Sequence, residues 1–243
     1  MPRPLTNSTG RTPPVRTCTV ERYLSVRGQS DALTAGLTPE DATVQSMVSC
    51  SPAKWHLAHS TWFFETFVLS ACDPAFEPID PRFRVLFNSY YNAVGEQAPR
   101  GERGLMTRPS LSDVRRYRAR TDELMVRLLA DAGDDPRVAE LVELGLQHEQ
   151  QHQELILMDI KHLFSRSPLL PTYREPDGFE PGRPGAMGWV GFEGGLRRVG
   201  HDGSGFAYDC EGPRHERMVQ GFEVADRLVT NGEYLRFVET GGY

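Results

Sequence analysis

The chain contains seven histidines, and His148-Glu149-Gln150-Gln151-His152 sets two of them four residues apart. Residues four apart on an α-helix project from one face, so two imidazoles at this spacing can grip a single metal ion. The flanking pattern agrees: Leu141, Leu144, His148, His152 and Leu155 recur at steps of three and four. Both imidazoles then sit on the stripe that faces a core. Without a metal, the same pattern describes hydrogen-bonded core histidines. Glu149 also completes an HExxH sequence, the zincin arrangement in which the glutamate is the general base of a metalloprotease.

Two imidazoles leave most metal ions under-coordinated. A third donor is available in the stretch SPAKWHLAHSTWFFE, residues 51–65, which holds His56 and His59. Trp55, His59 and Trp62 fall on one aromatic helix face, while His56 points elsewhere, nearer Ser60 and Phe63. His59 is therefore the better inward candidate, with a hydrogen-bonding role in an aromatic core as its alternative. His162 lies roughly 15 Å beyond His152 at 1.5 Å per residue, too far to share one ion. His201 and His215 have no partner pattern. Three neutral imidazoles leave a divalent ion its full charge and an open face. That suits oxygen activation or Lewis-acid chemistry better than a structural role.

Helical signals dominate up to about residue 164. Thr38-Pro39 reads as a helix start. Ser51-Pro52 reads as another, opening a helix over 54–70. A third helix is expected over 111–130, and Asp135-Pro136 opens a fourth that runs to about Phe164. The polar stretch 73–109 is long for a structureless loop, and such loops are often functional. From Ser165 to Gly195, proline and glycine crowd in, including Pro168, Pro171, Pro176, Pro181 and Pro184, which reads as a linker. Leu196–Val199 and Met218–Val224 then read as strands. Thr230-Asn231-Gly232-Glu233 is a capping box opening a short helix.

The 243 residues carry a net charge of −6, with 39% hydrophobic and 25% charged residues. That balance argues against a general phosphate-backbone binder, so no nucleic-acid partner is expected. Only Lys54 and Lys161 among the 27 basic residues are lysine. Cys18, Cys50, Cys72 and Cys210 form no CxxC pair, so reduced thiols in a cytoplasm are expected. No segment has the roughly 18 apolar residues that span a bilayer. Residues 1–16, rich in Pro, Thr and Arg, lack the apolar core of a secretory signal and read as a disordered lead-in.

Several of these motifs together resemble a known family. SPAKWHLAHSTWFFETF, LFNSYYNAVGE, RGLMTRPSL and HEQQHQELILMDIKH are similar to the iron-dependent sulfoxide synthases of ergothioneine biosynthesis. Gly194-Gly195, Asp209–His215 and Val229–Phe237 resemble the start of a formylglycine-generating-enzyme-like, C-type-lectin-like domain. The resemblance spans about residues 20–243. It implies an α+β protein. Residues 17–165 would form a DinB-like four-helix bundle with the metal site, residues 166–195 a linker, and residues 196–243 the beginning of an incomplete second domain.

It further implies Fe(II) held by His59, His148 and His152, with O2 as co-substrate. The reaction joins a cysteine-type thiol, γ-glutamylcysteine or cysteine, to imidazole C2 of hercynine. The tyrosine pair Tyr90-Tyr91 would lie near the iron, and a phenol there can donate a proton or a hydrogen bond. Arg100 and Arg103 would clamp a substrate carboxylate through paired N–H groups. Glu149 would become a surface or supporting residue instead of a protease base. Sister enzymes act on histidine itself, giving the ovothiol-type product, or use a selenium donor. A DinB-like metal-binding domain without oxygen chemistry is a further reading of the bundle alone.

Overall fold

The computed structural model describes residues 19–89, 91–133, 135–175, 178, 182 and 185–242. The lead-in 1–16, Tyr90, Pro176, Pro181 and Pro184 lie outside the described residues. Internal contacts divide the chain into two units, Met1–Glu175 and Pro176–Tyr243. The first is helical and the second carries strands, so the chain is of the α+β class.

The helices of the first unit are α1 (Val20–Thr34), α2 (Ala53–Phe63), α3 (Leu111–Ala132) and α4 (Pro136–Ser165). Three of them begin on side chains that accept from otherwise unpaired backbone N–H groups. Thr19 accepts from Arg22 N at 3.2 Å. Ser110 and Asp113 form a reciprocal capping box. Asp135 caps α4 with Pro136 at its first position, where the missing N–H costs nothing. Helix α2 begins at Pro52 without a side-chain cap, so Ser51 does not act as the cap its sequence advertises. Its backbone N–H donates instead to Asp159 Oδ2 at 2.8 Å.

The predicted helix start at Thr38 makes only one turn. Thr38 Oγ1 does accept from Asp41 N at 3.1 Å. The Ala42 carbonyl, however, is taken by Lys54 N at 2.9 Å, and the turn ends there.

Helix α2 runs directly into a π-helical segment, Phe64–Leu69, and a last turn, Ser70–Cys72. A Cβ on Gly145 of α4 would stand 2.5 Å from the Phe64 ring. Glycine there lets the π segment lie against α4, and any larger residue would force the two apart.

The buried line of α4 is rotated from the expected stripe. It runs through Val142, Gly145, Leu146, Glu149, Ile156 and Ile160, while Leu144 is 41% exposed. The cause is Glu149, which takes the centre of the buried face because two arginines neutralise it. His148 and His152 lie to one side of that line.

The apolar core falls into two clusters. One gathers Trp55, Leu57, Trp62, Phe87, Ile156 and Ile160 around the histidines. The other gathers Tyr23, Phe64, Val68, Met125, Val142 and Leu146. Each such side chain contributes about 1.5–3 kcal/mol through burial.

The stretch 73–109 is ordered locally by a short helix, Phe83–Leu86, and a 3₁₀ segment, Arg100–Leu105. Asn88 Nδ2 reaches the carbonyls of Tyr91, Gly95 and Glu96 at 3.1–3.2 Å and so closes the loop on itself. Residues 166–175, expected as linker, belong to the helical unit: the Tyr173 hydroxyl donates to the Leu33 carbonyl at 2.6 Å.

The second unit pairs β1 (Trp189–Phe192) with β4 (Phe222–Ala225), and β2 (Gly195–Val199) with β3 (His215–Val219), all antiparallel. Strand β1 lies inside the expected linker. The single strand expected over 218–224 is two, broken at Gln220-Gly221. The break is where the sheets exchange chains: a Cβ on Gly194 would stand 2.8 Å from Gly221 N. Helix α5 (Asn231–Glu239) opens on the Thr230–Glu233 capping box. Among the described residues, no helix is long and apolar enough to cross a membrane.

Candidate metal centre

Helices α2 and α4 pack side by side, and their facing turns carry the histidines. Nitrogen atoms of His59, His148 and His152 all lie within 4.8 Å of one another. His59 Nε2 and His148 Nε2 are 3.1 Å apart. The His59 ring is stacked between Trp55, with centroids 4.5 Å apart, and Trp62, at 5.6 Å. The His148 ring stacks on Phe63 at 4.4 Å. These aromatic contacts fix the ring planes.

The proton positions on two of the rings follow from the acceptors they face. His59 Nδ1 lies 2.6 Å from the Phe87 carbonyl, so Nδ1 carries the hydrogen and Nε2 a bare lone pair. His56 Nε2 lies 2.9 Å from Asp159 Oδ2, a carboxylate that only accepts. A neutral His56 then has a bare Nδ1. That atom is 2.8 Å from His152 Nδ1, so the hydrogen between them belongs to His152. Its Nε2 is thereby freed toward the cluster. His148 Nδ1 is buried and has no partner among the described residues.

Burial disfavours the charged form of each ring. It lowers His148 to about 4 and holds His59 and His152 well below the usual imidazole range, with the neighbouring histidines adding to the effect. At neutral pH these are neutral imidazoles, with one ring nitrogen of each within 4.8 Å of the others. Such a donor set fits a divalent transition metal.

Glu149 is not aimed at this spot. Its carboxylate accepts from Arg27 Nη1, Arg118 Nη2 and the Ser30 hydroxyl, each at 2.7 Å. Burial alone would raise its pKa, but Arg118 and Arg27 outweigh that and hold it at about 2. With its lone pairs committed to two cations, it cannot serve as a protease base, and the HExxH match is not a zincin site.

Tyr91 is partly buried, its ring 6.4 Å from that of His59 and 5.0 Å from Phe67. Burial raises its pKa, so the phenol keeps its proton. Arg103 is buried, with Nη1 on the Ser51 hydroxyl and Nη2 on the Ser89 hydroxyl, both at 2.9 Å. Its guanidinium lies 3.4 Å from the Trp55 ring centre, a cation–π contact. His59 and Arg103 cannot share one face of Trp55 at these distances, so the indole is sandwiched between them. Arg100 is exposed and reaches the Ser49 carbonyl. His162 turns away to the Ser46 hydroxyl at 2.7 Å.

Sequence reasoning turned His56 away toward Ser60 and Phe63, whereas its Nδ1 faces His152 at 2.8 Å, and it did not single out Asp159. Asp159 stands two turns beyond His152 on the same stripe, and a carboxylate on an inward stripe was the available signal.

The helical unit belongs to the DinB superfamily, whose model matches residues 22–156. A hercynine oxygenase from Mycolicibacterium thermoresistibile is 30% identical to the chain over 200 residues. That similarity covers 79% of this chain and 42% of the relative, so the chain spans less than half of the protein it resembles.

Proposed function

We propose that the helical unit is the iron-binding part of a non-haem, O2-dependent sulfoxide synthase that joins a cysteine-type thiol to imidazole C2 of hercynine. The observation that carries this reading is the convergence of three neutral imidazoles, within 4.8 Å, on two facing helices of a DinB bundle. The hercynine oxygenase relative supplies the substrate class.

His59, His148 and His152 would hold the Fe(II). Bound there, iron would supply an open coordination face for oxygen and a lowered pKa for a coordinated thiol. The protein's own residues do the rest. Trp55, Trp62 and Phe63 orient the rings. Tyr91, protonated at neutral pH and with its ring 6.4 Å from that of His59, is the candidate to give or share a phenolic hydrogen. Tyr90 is assigned beside it by resemblance alone. Arg103 steadies Trp55 and hence His59, while Arg100, at the surface, is the better placed of the two to meet a substrate carboxylate. We read the second unit, with its exposed apolar strands and Trp189 61% exposed, as resembling a formylglycine-generating-enzyme-like domain. A cytoplasmic setting agrees with the free thiols of Cys50, Cys72 and Cys210.

The test is an anaerobic Fe(II) titration of the chain and its His59→Ala and His148→Ala variants. One iron per chain, lost in both variants, is the expected result. A folded wild-type chain that takes up no iron, or variants that bind as well as wild type, would overturn the assignment.

A further inference from the structure

Asp159 and His56 form a chain of hydrogen bonds that ends on His152. Asp159 Oδ2 accepts from Ser51 N at 2.8 Å and from His56 Nε2 at 2.9 Å. His56 Nδ1 in turn faces His152 Nδ1 at 2.8 Å. His56 and Asp159 are both buried. The series crosses from α4 to α2 and back, so it also ties the two helices together at the cluster.

We infer that Asp159 and His56 are positioning residues for His152: carboxylate and imidazole in series fix which nitrogen faces the cluster and strengthen it as a donor. The inference rests on reading the cluster as a metal centre. Partners beyond a ligating histidine orient the ring and raise its basicity. Here they do so unequally. His152 leans on an imidazole backed by a carboxylate. His59 leans on the neutral carbonyl of Phe87. His148 Nδ1 has no partner among the described residues. The three imidazoles are therefore graded in donor strength, with His152 the strongest and His148 the weakest.

The test is a Co(II) titration of wild type, Asp159→Asn and, as a control, Asp122→Asn. Asparagine at 159 keeps an oxygen for Ser51 N and His56 but removes the negative charge. Asp122 holds Arg27 Nε at 2.7 Å and the Tyr23 hydroxyl at 2.6 Å, away from the histidines. Asp159→Asn is expected to bind Co(II) roughly 10–100-fold more weakly, with a changed visible absorption envelope. Asp122→Asn is expected to lower the melting temperature while keeping wild-type Co(II) affinity. If Asp159→Asn does not fold, His56→Asn serves, since its side-chain oxygen can replace Nδ1 as acceptor without the link to Asp159. It too should bind more weakly.

Wild-type affinity in either folded variant overturns the relay and leaves the metal centre standing. Failure of folded wild type to bind Co(II) removes the metal centre and the relay together. Nitrogen-15 NMR of the metal-free chain gives an independent readout: His152 should carry its hydrogen on Nδ1, and finding it on Nε2 overturns the inference.

Discussion

Glu149 and Arg118 meet at 2.7 Å beneath the turn that carries both α4 histidines, each side chain almost wholly removed from water. Arg27 closes the other side of the same carboxylate. A buried carboxylate held from two directions fixes the rotation of α4 about its axis. His148 and His152 lie to one side of it and are turned toward α2. The ion cluster thus helps to orient the histidine cluster, and its Glu149 carboxylate also acts electrostatically on His148.

Glu149→Gln leaves two buried guanidinium groups facing a neutral amide. Removing one partner from a buried ion pair costs about 3–5 kcal/mol, a large part of a domain's usual stability. Urea unfolding is expected to show a loss of that size. A midpoint close to wild type would mean that the cluster contributes little to holding the helices.

Tyr91→Phe removes a phenolic hydrogen and little volume. The ring contacts with Trp62 and Phe67, at 5.7 and 5.0 Å, survive the change. On the proposed function, iron uptake is expected to match wild type, while sulfoxide formation is expected to fall about 10²–10⁴-fold, the usual worth of a positioned proton donor. Undiminished turnover would assign the proton elsewhere.

Glu65 gives a pH signature. Burial raises its carboxyl above the ordinary 4.5, against the hydrogen bonds from Tyr117 and Ile79 N. The folded state therefore holds this proton to higher pH than the unfolded chain does. Its contribution is complete below pH 4.5 and is lost as pH rises through the raised folded value. Glu65→Gln cannot ionise, so its stability relative to wild type is expected to improve from pH 4 to pH 7. Urea midpoints at the two pH values that move in parallel would count against it.

Legibility in the sequence followed the physics of each element. The starts of α4 and α5 could be read because Asp135-Pro136 and Thr230–Glu233 announce themselves locally. Helix α1 could not be read from apolar periodicity. It buries Arg27, Ser30 and Thr34 beside Tyr23 and Leu33, so its inward face looks like a surface until its ionic partners ninety and more residues away are known. The rotation of α4 was hidden for the same reason, since Glu149 reads as solvent-facing without Arg118. Strand β1 was masked by the prolines and glycines before it. The spacing of His148 and His152 singled them out from the start, whereas the link from His56 to Asp159 needs two helices brought together.

The π-helical segment at Phe64–Leu69 makes α2 a phase shifter. A regular helix advances about 100° per residue, and the wider π turn breaks that count. Upstream of it, Trp55, His59 and Trp62 keep step with the histidines of α4. Within the segment itself, Glu65 and Val68 keep step with α3 and the second apolar cluster. One continuous rod thereby serves two walls that a uniform helix would bring out of register. Deleting a single residue from the segment would act like a turned screw, swinging everything on one side of it away from what it now faces.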